Sequence, residues 1–220
     1  MGISSKYPLL LTSGVTLVLG ARLLVSQAQV FLQEHGGPAL NRLQIWSVTF
    51  VFTCTSLVLI FGALADIASW PDVSRSIVLL AWGIPMVLLD MRNYWLPLRY
   101  TTGFWLTGLL FTLLPGSSLT LAEALSGSAI MFVALYGFHT AVLHLRGEEG
   151  FGLGDVHLIA ALCAWFPWQL ASLLSGCAFL LFVAGALLTR KTAQPYAPWL
   201  FALLAVLAGS LPHTSIQGVL

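Results

Sequence analysis

Residues 148–189 read EEGFGLGDVHLIAALCAWFPWQLASLLSGCAFLLFVAGALLT. Three carboxylates and a glycine-rich turn lead into two apolar runs that meet at Pro167. From Val156 to Thr189 there is no Asp, Glu, Lys or Arg. The second run, 169–189, has the length of a helix that crosses a bilayer, which takes about 20 apolar residues. One such run makes the chain a membrane protein, and the rest of the composition agrees.

Of the 220 residues, 58% are hydrophobic and 8% charged, with a mean hydropathy of +0.91. A soluble domain carries roughly 25% charged residues, so too few are present to cover an aqueous surface. The expectation is an all-α fold, a polytopic transmembrane helical bundle of about eight spans seated in a lipid bilayer. Candidate spans lie at 8–25, 46–66, 75–90, 100–115, 123–145, 157–167, 169–189 and 197–213. The sixth is short, and with the seventh it forms either one broken helix or a hairpin with a tight turn. Trp165 and Trp168 flank the break and read as interfacial anchors. No repeat, low-complexity tract or soluble domain appears, so 1–220 reads as a single membrane domain. A net charge of +1 gives no electrostatic case for nucleic acid. Cys54, Cys163 and Cys177 form no CxxC pair and read as small buried hydrophobes, so no metal site is expected.

Orientation follows from Lys and Arg near the span ends. With eight spans and an outside N-terminus, one side carries Arg22, Arg42, Arg92, Arg99, Arg146, Arg190 and Lys191, and the other only Lys6 and Arg75. That bias assigns loops 26–45, 91–99, 146–156 and 190–196 to the cytoplasm. Ser26-Gln27-Ala28 resembles a cleavage site, but Arg22 interrupts the apolar core before it, so 8–25 reads as a retained span.

Acids beside or within a membrane are costly to bury and are the first candidates for function. Asp66, Asp72, Glu123 and Glu34 fall at helix ends or in loops and need no further role. Asp90 closes the third span and Asp155 opens the sixth, and the topology brings both to the cytoplasmic face at similar depth. Two neighbouring carboxylates share a proton, so one can take a proton from water while the other polarises a carbonyl. Gly152 and Gly154 permit positive φ and close backbone approach, leaving room for a substrate strand. Pro85 can bend the third span, and Pro97 limits helix continuation beyond Asp90. Two plainer explanations stand beside this: Asp155 as an N-cap of a helix over 156–166, and Asp90 as a helix-end charge paired with Arg92. Glu148 and Glu149 are either a solvated loop or an acidic patch for a basic substrate segment. His139 and His144, five residues apart, do not share a helix face cleanly and read as structural.

These residues resemble a known family. GFGLGDVHLIAALCAWFPWQ, residues 150–169, is similar to the second active-site segment of the type IV prepilin peptidases, membrane aspartyl proteases of the GxGD class. The family pattern runs G-x-G-D-x-K-L-x-A-A-x-G-A-W-x-G-W. Asp90 followed by Leu96-Pro97 fits the first family aspartate, and Gln194-Pro195-Tyr196-Ala197-Pro198 resembles a late P-[FY]-[GA]-P segment. The likeness covers roughly 75–215, a peptidase-like core. It implies an inner-membrane enzyme that removes the short basic leader from type IV prepilins or pseudopilins at the cytoplasmic face. Asp90 and Asp155 are then the catalytic pair, Gly152 and Gly154 shape the motif turn, and proteolysis needs no metal or cofactor. Larger members carry a cytoplasmic insert with two CxxC pairs, associated with zinc and methylation of the new N-terminus. Loop 26–45 has no cysteine and is too short for it, so S-adenosylmethionine is expected only if methylation is retained. His157 stands where the family usually has Lys, Leu98 replaces a polar residue, and Cys163 and Pro167 replace glycines. The rivals are a related GxGD peptidase with another membrane-anchored substrate, a proton-coupled transporter using the two acids as a relay, and a non-catalytic assembly component that kept the fold. Oligomeric state is not legible.

Overall fold

The computed structural model describes residues 3–115, 117–147, 152–190 and 194–210. Among the described residues there are eight helices and no strand: α1 (Ile3–Glu34), α2 (Arg42–Leu64), α3 (Trp70–Asn93), α4 (Leu98–Thr112), α5 (Leu121–Arg146), α6 (Leu153–Leu162), α7 (Trp168–Thr189) and α8 (Ala197–Ser210). Each expected apolar window falls on one of them. Five, α1, α2, α3, α5 and α7, are long and apolar enough to cross a membrane, so the protein is a multi-pass helical membrane protein. Of the about eight spans expected, the other three helices are shorter than a full crossing. α4 has 15 residues, α6 has 10 and α8 has 14. At 1.5 Å per residue α6 is about 15 Å long, half the hydrocarbon thickness. Window 157–167 imitates a span because the turn after α6 is as apolar as the helix.

α1 also departs from expectation, since 26–34 continues the helix instead of forming a loop. Nothing in SQAQVFLQE breaks a helix, and the stop comes only at Gly36-Gly37. Gly36 adopts φ +66°, Gly36 N–H donates to Gln33 O at 3.3 Å, and Gly37 N–H donates to Leu32 O at 2.7 Å. This is a Schellman ending, which needs a left-handed residue that glycine supplies without strain. At the other helix ends, Asn41 Oδ1 accepts from Leu43 N–H, and Thr120 with Glu123 forms a reciprocal capping box on α5. Glu123 is thus a cap, and Asp72 accepts from the Ser69 hydroxyl in the first turn of α3.

The chain divides into two compact units. One is built on α1, α2 and α3, which pack mutually, together with the chain from Phe201. In it a side chain at Gly83 would collide with the Phe201 ring, at 2.5 Å from its nearest carbon. α3 is buried on all sides from Gly83 to Asp90. Pro85 lies inside this stretch without ending the helix, and its missing N–H removes the donor to Ala81.

The other unit is Tyr94–Leu200. Here α6 packs against α4 and α5, and α7 packs on α5 and α6. The α6–α7 pair is a hairpin with a tight turn. Cys163, Ala164 and Trp165 N–H groups donate to Ala160, Ala161 and Leu162 carbonyls, three residues back, and Pro167 precedes α7. These bonds satisfy the backbone where no water can, which irregular chain within a membrane protein must do. Every residue from Leu158 to Trp165 is buried.

Trp165 is therefore not an interfacial anchor. It is fully buried, its indole Nε1–H donates to Phe104 O at 3.0 Å, and its ring stacks on Phe104 with centroids 5.2 Å apart. The amphipathic ring found a backbone acceptor inside the protein, which serves its N–H as well as an interface does. Trp168, by contrast, is exposed. The indole fits because Gly108 has no side chain: a Cβ there would lie 2.8 Å from both Trp165 Nε1 and Ala164 Cβ. Gly108→Val should therefore lower the thermal midpoint in detergent by an amount equivalent to about 1–3 kcal/mol. Gly137→Val, at a helical glycine with nothing within 4 Å, should leave it unchanged.

Candidate functional site

Asp155 lies in the first turn of α6, whose N-cap is Gly152. It is the third helical residue, not the cap itself, because the helix begins at Leu153 rather than at Val156. Gly152 has no side chain to cap with, so Asp155 is the one acid in that turn. A carboxylate there lies beside unpaired helix N–H groups, where negative charge is favoured. Asp155 is half-buried.

The motif glycines act through space rather than through φ. Gly152 has φ −64° and ψ 137°, ordinary extended backbone, and Gly154 is helical. A Cβ on Gly152 would stand 3.1 Å from Asp155 Oδ2. A Cβ on Gly154 would stand 2.7 Å from Leu96 Cβ and 3.1 Å from Leu96 O. The chain before α4 therefore lies directly on the helical turn that carries Asp155. Leu96 was legible only as a spacer before Pro97, since nothing in its type announces a backbone partner.

Asp90 lies in the last turn of α3, 4% exposed. Gly83 precedes it by seven residues, two helical turns, so the Phe201 contact falls on the same side of α3 as Asp90. Beyond α3, Tyr94 takes φ 54°, a left-handed conformation rare for an aromatic residue, before Pro97 opens α4.

Tyr196, from the late proline segment, is 3% exposed. Its hydroxyl donates to Ser175 O at 3.0 Å and its ring meets Phe182 edge-on. Burial pushes its phenol well above the usual range, and the Asp155 carboxylate pushes it further. Tyr196 thus stays neutral within electrostatic reach of Asp155. The paired prolines around it were the only sequence signal.

His157 does not stand beside Asp155. Two residues along a helix turn the side chain by about 200°. Its Nδ1 lies 2.8 Å from Leu153 O, and its ring tilts against Phe132 of α5. His139 is buried and stacks on Tyr136, while His144 is exposed. Glu148 and Glu149 lie outside the described residues, as do Lys191 and the side chains of Lys6 and Arg146. Among the described residues no three His, Cys, Asp or Glu side chains are grouped to hold a metal ion.

Residues 77–213 match the pattern of the type IV leader peptidase family. The chain is 32% identical over 139 residues to the type 4 prepilin-like proteins leader peptide-processing enzyme of Escherichia coli O78:H11, covering 60% of this chain and 51% of that protein. It is 32% identical over 154 residues to the prepilin leader peptidase/N-methyltransferase of Aeromonas salmonicida strain A449, covering 66% and 52%. The enzyme of the same name from Pectobacterium carotovorum subsp. carotovorum is 33% identical over 133 residues, covering 57% and 47%. The chain spans about half the length of these curated relatives. No solved structure matches it.

Gly154→Ala should destabilise the protein by about 1–3 kcal/mol, because the new methyl meets Leu96 at Cβ and carbonyl together. Leu96→Gly in the same chain removes the Cβ half of the clash and should restore part of the thermal midpoint. Equal midpoints for wild type and Gly154→Ala would show that Leu96 yields freely.

Proposed function

The chain belongs to the type IV leader peptidase family, and on that premise we propose that it is a membrane aspartyl endopeptidase that removes the basic leader from prepilins or pseudopilins. Asp90 and Asp155 are the catalytic carboxylates in this proposal. One, ionised, takes a proton from water as the water oxygen adds to the scissile carbonyl carbon. The other, protonated, gives its proton to the carbonyl oxygen. The tetrahedral intermediate then collapses: the second carboxylate takes back a hydroxyl proton as the carbonyl reforms, the C–N bond breaks, and the amine nitrogen leaves with a proton from the first acid. The observation that carries the proposal is Asp155 in the first turn of a buried half-length helix, behind two glycines of which one is pressed on Leu96. Leu96 occupies the space at Gly154, so a substrate backbone would approach this turn at Gly152, which is exposed.

The site is proposed to face the cytoplasm in the bacterial inner membrane, on the bias of Arg and Lys toward one set of helix ends. Glu148 and Glu149 are proposed to attract the basic leader. Gly152 and Gly154 shape the turn, and the peptidase core is proposed to run over about 75–215 within one membrane domain. Proteolysis by two carboxylates requires neither metal nor cofactor. Methyl transfer, and with it S-adenosylmethionine, is left out of the proposed reaction.

Co-expression with a type IV prepilin in cells lacking their own peptidase should give leader removal by the wild type, read by gel shift and N-terminal mass. Asp90→Asn and Asp155→Asn should each abolish it while the variant still inserts in the membrane, a loss of several orders of magnitude as for other paired catalytic groups, on the order of 10³-fold or more. Cleavage surviving in either variant would remove that aspartate from the mechanism. Proton flux into vesicles without cleavage would favour the transporter. The same mass reports any methyl group on the new N-terminus. Glu148→Gln with Glu149→Gln should raise the prepilin concentration needed for half-maximal processing and leave the rate at saturation nearly unchanged. Unaltered processing at limiting prepilin would leave the two glutamates as solvated loop.

A further inference from the structure

A cavity of about 530 Å³ lies within the Tyr94–Leu200 unit, between α4, α5 and α6. On α5 it follows Leu125, Ser128, Ala129 and Phe132, one stripe at helical spacing that is about 10 Å long. Small side chains make the space: Ala160 and Ala161 of α6 form the buried floor, and Trp105 closes the α4 side. The mouth is open, since Thr102, Leu125 and Ala129 are exposed.

Asp155 lies on the other side of α6. Relative to it, His157, Ala160 and Ala161 are rotated by about 200°, 140° and 240°. The cavity is therefore not the place where a peptide bond meets that carboxylate. Its polar lining is also largely occupied. Trp105 Nε1–H donates to Ser128 Oγ at 3.0 Å, the Thr101 hydroxyl donates to Leu98 O at 3.1 Å, and His157 Nδ1 is on Leu153 O. A ligand entering here meets hydrocarbon and few directional groups. The large exposed side chains of α4 and α5 within two turns or so of that lining are apolar, among them Leu106, Leu110, Leu121, Ile130 and Val133, with Glu123 and Ser126 exposed between them. In a multi-pass membrane protein such a surface borders lipid tails, not water.

One end of the cavity is more polar. Thr101, Thr102 and His157 lie there, near the first turns of α4 and α6, which the Leu96–Gly154 contact holds together. Arg99 stands one turn before Thr102, exposed, with its guanidinium donating to the Tyr100 hydroxyl at 2.8 Å. Arg99 does not line the cavity and its guanidinium rests over the Tyr100 ring, 4.7 Å from the centroid, but a cation one helical turn beyond the polar end of an apolar slot matches a phosphate attached to a hydrocarbon tail.

We propose that this cavity is an acyl-chain site, holding one tail of a bilayer phospholipid that enters from the side, with the headgroup phosphate toward Arg99. The tail fills the space between α4 and α5 and so supports α6 from the side opposite Asp155.

The full chain, reconstituted in phosphatidylcholine–phosphatidylglycerol vesicles with a trace of phospholipid bearing a diazirine in its acyl chain, tests this. After photolysis, peptides containing Thr101–Trp105 and Leu125–Phe132 should carry more label than the lipid-exposed α2 residues Phe50 and Val58. Ala129→Phe, which plugs the mouth from an exposed position, should lose that excess and keep the α2 labelling. Thr102→Leu, narrowing the mouth from α4, should act the same way. Cavity labelling no higher than α2, or an excess untouched in both variants, would overturn the proposal. So would benzoylphenylalanine at Leu125 that captures a co-reconstituted prepilin rather than lipid. None of these readouts depends on cleavage, so they stand apart from the fate of the peptidase assignment.

Discussion

The hydrogen bond from the Trp165 indole to the Phe104 carbonyl is the contact on which the Tyr94–Leu200 unit turns. α6 is too short to be held by the bilayer as a span and too apolar to be held by water. It must be fixed by the protein around it, with every polar group there satisfied. Trp165 does this at the end of α6 away from Asp155. It fills the largest fully buried side-chain position, bonds a carbonyl on α4, and stacks on Phe104 in the same turn. Gly108 makes the approach possible, and Gly154 makes the matching approach at the other end, against Leu96. Two absent side chains thus fix both ends of one short helix. An Asp placed in its first turn inherits that rigidity.

Much of this was open to sequence reading, for a physical reason. Helices in an apolar medium must satisfy their own backbone, so composition and run length alone predict them, and every expected window holds a helix. Asp90 and Asp155 stand out because charge is rare in such a chain, and rarity is visible without a structure. The ends were harder. α1 runs on through 26–34 because helix propensity there is unopposed until Gly36, while a polarity reading stops at Ser26. The sixth window was overlong because hydropathy cannot distinguish an apolar helix from an apolar turn whose amides bond three residues back.

The side-chain partners were mostly hidden. Leu96 and Phe201 are ordinary apolar residues, and what makes them specific is a glycine opposite, far away in sequence. Trp165 read as an interface anchor because tryptophan so often is one, and only the Phe104 carbonyl reveals the other solution. Of the positive φ and the close backbone approach that the motif glycines permit, only the second is used, a distinction that residue type cannot make because both call for glycine. His157, two residues from the acid in sequence, is distant in direction, since helical geometry separates near neighbours by angle.

The same geometry bears on the proposed hydrolytic chemistry, which would rest on few polar residues. Paired carboxylates work only if each is held to within a fraction of an ångström, and long side chains or loops seldom manage this. Here each acid has a short side chain and sits within one turn of a helix end. Part of the support around each is steric: Phe201 against Gly83 on the Asp90 face of α3, and Leu96 against Gly154 beside Asp155. Steric support suits a membrane interior, where a supporting polar network would itself need to be fully satisfied. It also has a characteristic weakness. A hydrogen-bonded support can lose one member and adjust, whereas a close-packed backbone admits no added methyl without displacement. In this chain the glycines are therefore as restrictive for the proposed chemistry as the aspartates, although they can exchange no proton.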